Sequence, residues 1–206
     1  RPIIQYPQDI IAIQEIIWKV KPDLIIETGI AHGGSVIFSS SMLALLDLAD
    51  KASPLNKKNI KRKVLAIDID IRKHNLSAIK KHPFNSYIKL IEGSCLDINI
   101  IKKVEKFASK FKKIMVFLDS NHTHEHVLSE LNYYAKFTSK NSYCVVFDTM
   151  LENLPNKFFT DRPWKKGNNP MSALKVFLKQ NKNFTSDVGF DNKLLISSSP
   201  YGYLKR

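Results

Sequence analysis

The stretch Asp23-Leu-Ile-Ile-Glu27-Thr-Gly29-Ile-Ala-His-Gly33-Gly34-Ser35 decides the fold. An apolar run of strand length ends in an acid and passes into a glycine-rich turn, which reads as a buried parallel strand feeding a helix over Gly33–Asp50. Upstream, Pro7–Val20 sets Ile10, Ile11, Ile13, Ile17 and Val20 on a broad helical face, with Asp9 as an early-turn acid and Pro22 as the stop. Downstream the unit repeats. Lys63-Val-Leu-Ala-Ile-Asp68, Ile114-Met-Val-Phe-Leu-Asp119 and Tyr143-Cys-Val-Val-Phe-Asp148 are apolar runs ending in an acid, and Tyr87–Glu92 is a further strand. Between them the periodicity predicts helices over Asn75–Lys81, Asp97–Lys110 and Thr123–Phe137. Alternation of this kind predicts an α/β fold, a doubly wound and mostly parallel sheet in one domain spanning 1–206. Past it come an irregular loop over Thr149–Asn169, a helix near Pro170–Asn181 and two closing strands. Those strands, Phe184–Val188 and Leu194–Ser198 joined through Gly189-Phe-Asp-Asn192, are expected to form an antiparallel pair that completes seven.

Composition narrows the class. At 206 residues and 44% hydrophobic the chain can bury a sizeable core, and no apolar run approaches the length of a membrane span. Cys95 and Cys144 each lie in an apolar stretch, so a reducing, cytoplasmic compartment is expected rather than a disulfide framework. The chain opens at Arg1 with neither Met nor an apolar leader, which leads us to expect a trimmed chain or a fragment. The net charge of +13 points on its face to a polyanion, but 27 of the 32 basic residues are Lys and only five are Arg. The lysines of Lys57–Lys63 and Lys102–Lys113 alternate with apolar residues as a solvated face does. Nucleic acid is therefore set aside as the principal partner, and a basic nucleic-acid-binding module kept as an alternative.

In an open α/β sheet the ligand lies beyond the carboxyl ends of the strands. Glu27, Asp68, Asp119 and Asp148 stand at four such ends; singly, each reads equally well as a helix cap. The glycine turn has the spacing of neither a dinucleotide fingerprint nor a phosphate loop, and Glu27 would repel a pyrophosphate. A cationic, phosphate-free nucleoside such as S-adenosylmethionine suits it, with Glu27 for the amino group and Asp68 for the ribose.

Five stretches carry a resemblance: Pro22 to Ser35, Ala66-Ile-Asp-Ile-Asp70, Ile91-Glu-Gly-Ser-Cys-Leu-Asp97, Leu118-Asp-Ser-Asn-His-Thr-His-Glu-His-Val-Leu128 and Pro200-Tyr-Gly-Tyr-Leu-Lys-Arg206. Together they resemble the cephalosporin hydroxylase / rhamnosyl O-methyltransferase family over nearly the whole chain. The resemblance implies the class I methyltransferase fold and S-adenosylmethionine as cofactor. It implies that Glu27, Gly29, Gly33 and Ser35 line the methionine part, that Asp68 takes the ribose, and that Ser94 and Asp97 flank the adenine. It further implies a Mg2+ site at Asp119 and an adjacent acidic pair; that pair falls on Phe147-Asp148, so one acid is Phe. Asp119 and Asp148 remain the candidate metal ligands, with His122 or water completing the set.

Methyl transfer to a hydroxyl needs the oxygen held in line and its proton removed. His122 is the candidate general base, with Asp119 beside it, and a loop-ordering role is its rival. Residues two apart on a helix point apart, so His122, His124 and His126 cannot all hold one ion, and His124 and His126 read as helix-surface residues. His32 is a candidate cofactor contact or simple loop filling. The loop 149–169, with Phe158, Phe159, Arg162, Trp164, Lys165 and Lys166, reads as a substrate cover or as a disordered surface segment. The expected function is O-methylation of a saccharide or related small polar metabolite, in a chain that is a candidate homo-oligomer. A catalytically degenerate member is one alternative; an oxygenase, which needs two His and a carboxylate around one iron, is another.

Overall fold

The computed structural model describes residues 1–50 and 60–206. The polar connection Lys51–Lys63 and the lysine cluster beginning at Lys57 therefore lie largely outside the described residues. Five parallel strands, β1 (Leu24–Thr28), β2 (Lys63–Asp68), β3 (Ile88–Glu92), β4 (Ile114–Leu118) and β5 (Tyr143–Val146), form the sheet with β6 (Thr185–Ser186) and β7 (Tyr203–Lys205). The order is β3-β2-β1-β4-β5-β7-β6, with β7 antiparallel to both its neighbours. Helices α1 (Pro7–Val20), α2 (Gly34–Ala49) and α3 (Lys73–Lys81) cover one face. Helices α4 (Ile98–Ala108), α5 (His124–Tyr134) and α6 (Pro170–Gln180) cover the other. A seventh helix, α7 (Val188–Leu194), precedes β7. No helix among the described residues is long and apolar enough to cross a membrane.

Because helices cover both faces, β1, β4 and β5 are buried at every position and read as unbroken apolar runs rather than as alternations. On α1 the buried stripe is Ala12, Ile13, Ile16, Ile17 and Val20, while Ile11 points outward at 56% exposure; the helical period selects Ile16 over Ile11. Full burial of side chains such as Ile16 and Ile17 stabilises by roughly 2 kcal/mol each. Lys102, Lys103 and Lys106 lie on the solvent side of α4 opposite Ile100, Ile101 and Val104, as the alternation predicts.

The closing segment differs from expectation. Val188–Leu194 is helical and Leu194–Ser198 is not a strand. Asp187 caps α7 by accepting from the Gly189 amide at 3.2 Å, and Phe190 stacks on Tyr203 with centroids 5.1 Å apart. The antiparallel partner of β6 is instead β7, whose Tyr203 and Leu204 are wholly buried beside β5. Asp9, read only as an early-turn acid, is fully buried and ties the two chain ends together. It accepts from the Ser198 amide at 2.7 Å and the Tyr203 hydroxyl at 2.6 Å.

Candidate active site

The order of strands reverses between β1 and β4, so their carboxyl ends open a crevice. A cleft of about 480 Å³ lies there, walled by Gly29, His32 and Ser35 after β1 and by Asp119, His122 and Asp148 after β4 and β5. Pro2–Tyr6 close another side, and Gln5 Nε2 donates to Asp119 Oδ2 at 2.6 Å. Neither Gln5 nor Ser120, which also lines the cleft, carries a sequence signal of its own.

The glycines of the turn are demanded by packing as well as by backbone angle. Gly29 has φ +88°, and a Cβ there would lie 2.0 Å from the Asp119 carbonyl oxygen. Gly33 has φ +80° and faces the buried Ile79. Gly29→Ala is therefore expected to lower unfolding free energy by about 2 kcal/mol or more, from left-handed backbone strain and the displaced β4 end. Urea denaturation measures it; an unchanged midpoint would contradict this packing.

Glu27 does not line the cleft. It is buried behind Ser35, whose hydroxyl donates to its Oε1, and its Oε2 has no partner. Burial pushes its carboxyl from an ordinary 4.5 up to about 7, against the opposing hydrogen bond from Ser35. The folded chain thus holds a proton that the unfolded chain releases, and this contribution to stability is lost as pH rises from about 4.5 to 7. The difference corresponds to roughly 3 kcal/mol at most. In Glu27→Gln that part of the pH slope should vanish; equal slopes in variant and wild type would show that the carboxyl is not held protonated.

Asp68 lies outside the cleft lining, with Oδ2 accepting from the amides of Ile30 at 2.7 Å and Ala31 at 3.2 Å. It anchors the glycine turn to the end of β2. Ser94 accepts from the Leu96 amide, and Asp97 caps α4 through the Asn99 amide at 2.6 Å, so both shape the turn after β3. His32 lines the cleft and its carbonyl accepts from Arg1 Nε at 2.8 Å.

At the ends of β4 and β5 the acids and the imidazole converge. Asp148 sits in the left-handed region at φ 56° and lines the cleft. His122 Nε2 is 3.2 Å from Asp148 Oδ2, and one donor atom from each of Asp119, His122 and Asp148 falls within 4.8 Å of the others. Burial first, and the Asp148 charge second, raise the Asp119 carboxyl well above the usual range. Burial raises Asp148 against the pull of His122, and burial lowers His122 against the pull of Asp148. Phe147 turns the other way, 5% exposed and edge-on to Phe117, and among the described residues no third acid joins this group.

The three histidines go to three partners. His124, expected on the surface, docks on the loop and α6: its amide donates to Asn168 Oδ1 and its Nδ1 lies 2.8 Å from Ser172 Oγ. His126, also expected on the surface, is half-buried beside Cys95, Ser120 and Glu130. Polar partners draw both inward, on the loop and α6 for His124 and under α5 for His126. Among the described residues the group at Asp119 holds one imidazole, that of His122, and not the two that an iron site with one carboxylate needs.

The loop 149–169 is hydrogen-bonded rather than loose. It contains short 3-10 turns over Thr149–Asn153 and Asn156–Phe159 and a bridge between Lys165 and Asn168. Trp164 stands edge-on to His122 at 4.8 Å with Arg162 over its ring at 5.4 Å, and both line the cleft. Phe159 is buried beneath, while Phe158 is exposed.

Solved structures share this architecture. CmcI with Mg and S-adenosylmethionine superposes with a TM-score of 0.61 at 15% identity, over 99% of this chain and 73% of that one. The apo TDP-rhamnose 3'-O-methyltransferase of calicheamicin biosynthesis gives 0.57 at 14% identity, over 82% and 69%. The chain shares the fold of these methyltransferases. It belongs to the Rhamnosyl O-methyltransferase/CmcI family, whose profile matches residues 1–206. The rhamnosyl O-methyltransferase of Mycobacterium bovis is 26% identical over 197 residues, 94% of this chain and 71% of its own length. That of Mycobacterium leprae is 25% identical over 197 residues, 94% of this chain and 75% of its own length.

Proposed function

We propose that the chain methylates a hydroxyl of a saccharide, or of a related small polar metabolite, in the cleft between the glycine turn and Trp164. The observation that carries this reading is the Asp119–His122–Asp148 group facing that turn under an aromatic and cationic cover. Aromatic faces suit stacking on a sugar ring, and Arg162 suits an anionic group attached to it.

S-adenosylmethionine fits the residues present. Ser35 lines the cleft and donates to the buried Glu27 carboxyl, whose Oε2 has no partner; an ammonium group placed before Ser35 would draw that carboxyl toward its ionised form. Asp68, beside the turn, retains acceptor capacity for ribose hydroxyls beyond the amides it holds. Ser94 and Asp97 shape the loop assigned to the adenine side. When bound, the cofactor supplies an electrophilic methyl on a sulfonium, and what the chain must do is align the acceptor and take its proton.

The donor set also fits a divalent cation: Asp119 and Asp148 offer the hard carboxylate oxygens that Mg2+ prefers. Bound there, the ion would lower the pKa of a nearby hydroxyl. His122 Nε2 lies 3.2 Å from the Asp148 carboxylate, and burial lowers the ring's pKa, which favours the neutral imidazole that a base must be. His122 takes the acceptor's proton, and Asp148 steadies the imidazolium that results. Trp164 holds the ring in place and the loop 149–169 excludes water.

Incubation with methyl-labelled S-adenosylmethionine, Mg2+ and a panel of rhamnosides, nucleotide-linked sugars and free sugars tests the proposal. Mass analysis should find one methyl added to a sugar, with S-adenosylhomocysteine released. Labelling of RNA or DNA in place of every sugar would overturn it, and cofactor binding with no acceptor at all would mark a degenerate member.

A further inference from the structure

A second group of ligating side chains lies under the cleft, outside the machinery assigned above. Cys95 comes from the turn after β3, Ser120 from the turn after β4, and His126 and Glu130 stand one helical turn apart on α5. Cys95 Sγ is 3.4 Å from His126 Nε2 and 3.3 Å from Glu130 Oε1, and those last two atoms are 3.9 Å apart. Bond lengths of zinc to sulfur, nitrogen and oxygen place neighbouring ligand atoms of a tetrahedron about 3.3–3.6 Å apart. The three atoms thus already stand near three corners. Ser120 Oγ, 3.0 Å from His126 Nε2 and 2.8 Å from Glu130 Oε1, occupies the fourth direction.

Glu130 is fully buried and its Oε2 has no hydrogen-bond partner, an arrangement that an added positive charge would relieve. His126 keeps 23% side-chain exposure and provides the way in. We propose that Cys95, His126 and Glu130 form a site for a thiophilic divalent cation, with Ser120 or water as the fourth ligand. It differs in kind from the Asp119–Asp148 pair: a thiolate and an imidazole select zinc-like ions, whereas two carboxylates select magnesium. Ser120 lines the cleft and adjoins Asp119, so an ion here would brace the turns after β3 and β4 against α5, within reach of the cofactor's space.

Cobalt(II) is the probe, because a cobalt–thiolate bond gives a near-ultraviolet charge-transfer band that oxygen and nitrogen ligands do not. Added to the whole chain in the presence of Mg2+, cobalt should give this band at one equivalent, and zinc should bleach it. Cys95→Ser should abolish the band and weaken zinc binding by at least about 100-fold, the upper end of what losing even an outer-shell partner costs. Glu130→Gln should weaken zinc binding while keeping the band, whereas Asp148→Asn and Cys144→Ala should keep both. Circular dichroism of each variant separates loss of the site from loss of the fold. Cobalt bound without the band, or Cys95→Ser binding zinc as tightly as wild type, would overturn the proposal. Neither readout depends on methyl transfer, so the site stands or falls apart from that function.

Discussion

His122→Ala is expected to lower kcat for methyl transfer by about 100- to 10,000-fold, the range a positioned general base contributes. Affinities for S-adenosylmethionine and Mg2+ should stay within a few-fold of wild type. The separation matters because Asp148, 3.2 Å from His122 Nε2, is assigned both to the ion and to the ring. Asp148→Asn should therefore lose rate and Mg2+ affinity together. His122→Gln preserves the polar contact and much of the packing on Trp164 but not the basicity, so it should be nearly as slow as the alanine variant. In wild type the rate should rise with pH along an ionisation below the ordinary 6.5 of an imidazole, since burial outweighs Asp148 at this ring. That limb should be missing in both variants. Retained kcat in His122→Ala would assign the ring to loop ordering and leave proton removal to the carboxylates.

Asp68→Ala should weaken S-adenosylmethionine binding by at least about 100-fold. One carboxylate oxygen holds the Ile30 and Ala31 amides, and the other accepts from the Asp70 amide at 3.2 Å. Hydrogen bonds to a charged group contribute about 1.5–3 kcal/mol each, so the substitution loosens the glycine turn and removes the ribose acceptor at once. Asp68→Asn retains one acceptor oxygen for the turn while losing the charge. It should fold like wild type and bind the cofactor at an intermediate level. Isothermal calorimetry on the two variants ranks these effects, and wild-type affinity in Asp68→Ala would remove Asp68 from the cofactor site.

The parallel half of the sheet was legible because burial on both faces leaves β1, β2, β4 and β5 as apolar runs, each running into an acid. The end of the chain was not. Gly189-Phe-Asp-Asn192 has the composition of a hairpin turn, yet Asp187 caps a helix there and Phe190 packs on Tyr143 and Tyr203. A three-residue strand such as Tyr203–Lys205 is fixed by its pairing with Tyr143–Val145, which local sequence does not display. His122, His124 and His126 go to Asp148, Ser172 and Cys95; the two-residue spacing parts His124 from its neighbours, whereas His122 is parted from His126 because it precedes α5. What spacing could not reveal was whether anything polar waited where His124 and His126 point. The same holds for Gln5 against Asp119 and for Asp9 against Ser198, contacts made across more than a hundred residues of chain. Phe147 had signalled a missing acid, and the structure shows why Phe is stable there: its side chain belongs to the core beside Phe117.

The most direct test of the account is a calorimetric titration of S-adenosylmethionine into the purified chain, run with and without Mg2+ in one buffer. Micromolar binding in both conditions, with heat from a separate Mg2+ titration that Asp148→Asn removes, is the predicted result. Absence of cofactor binding in either buffer would contradict the methyltransferase site built from Glu27, Ser35, Asp68 and the glycine turn.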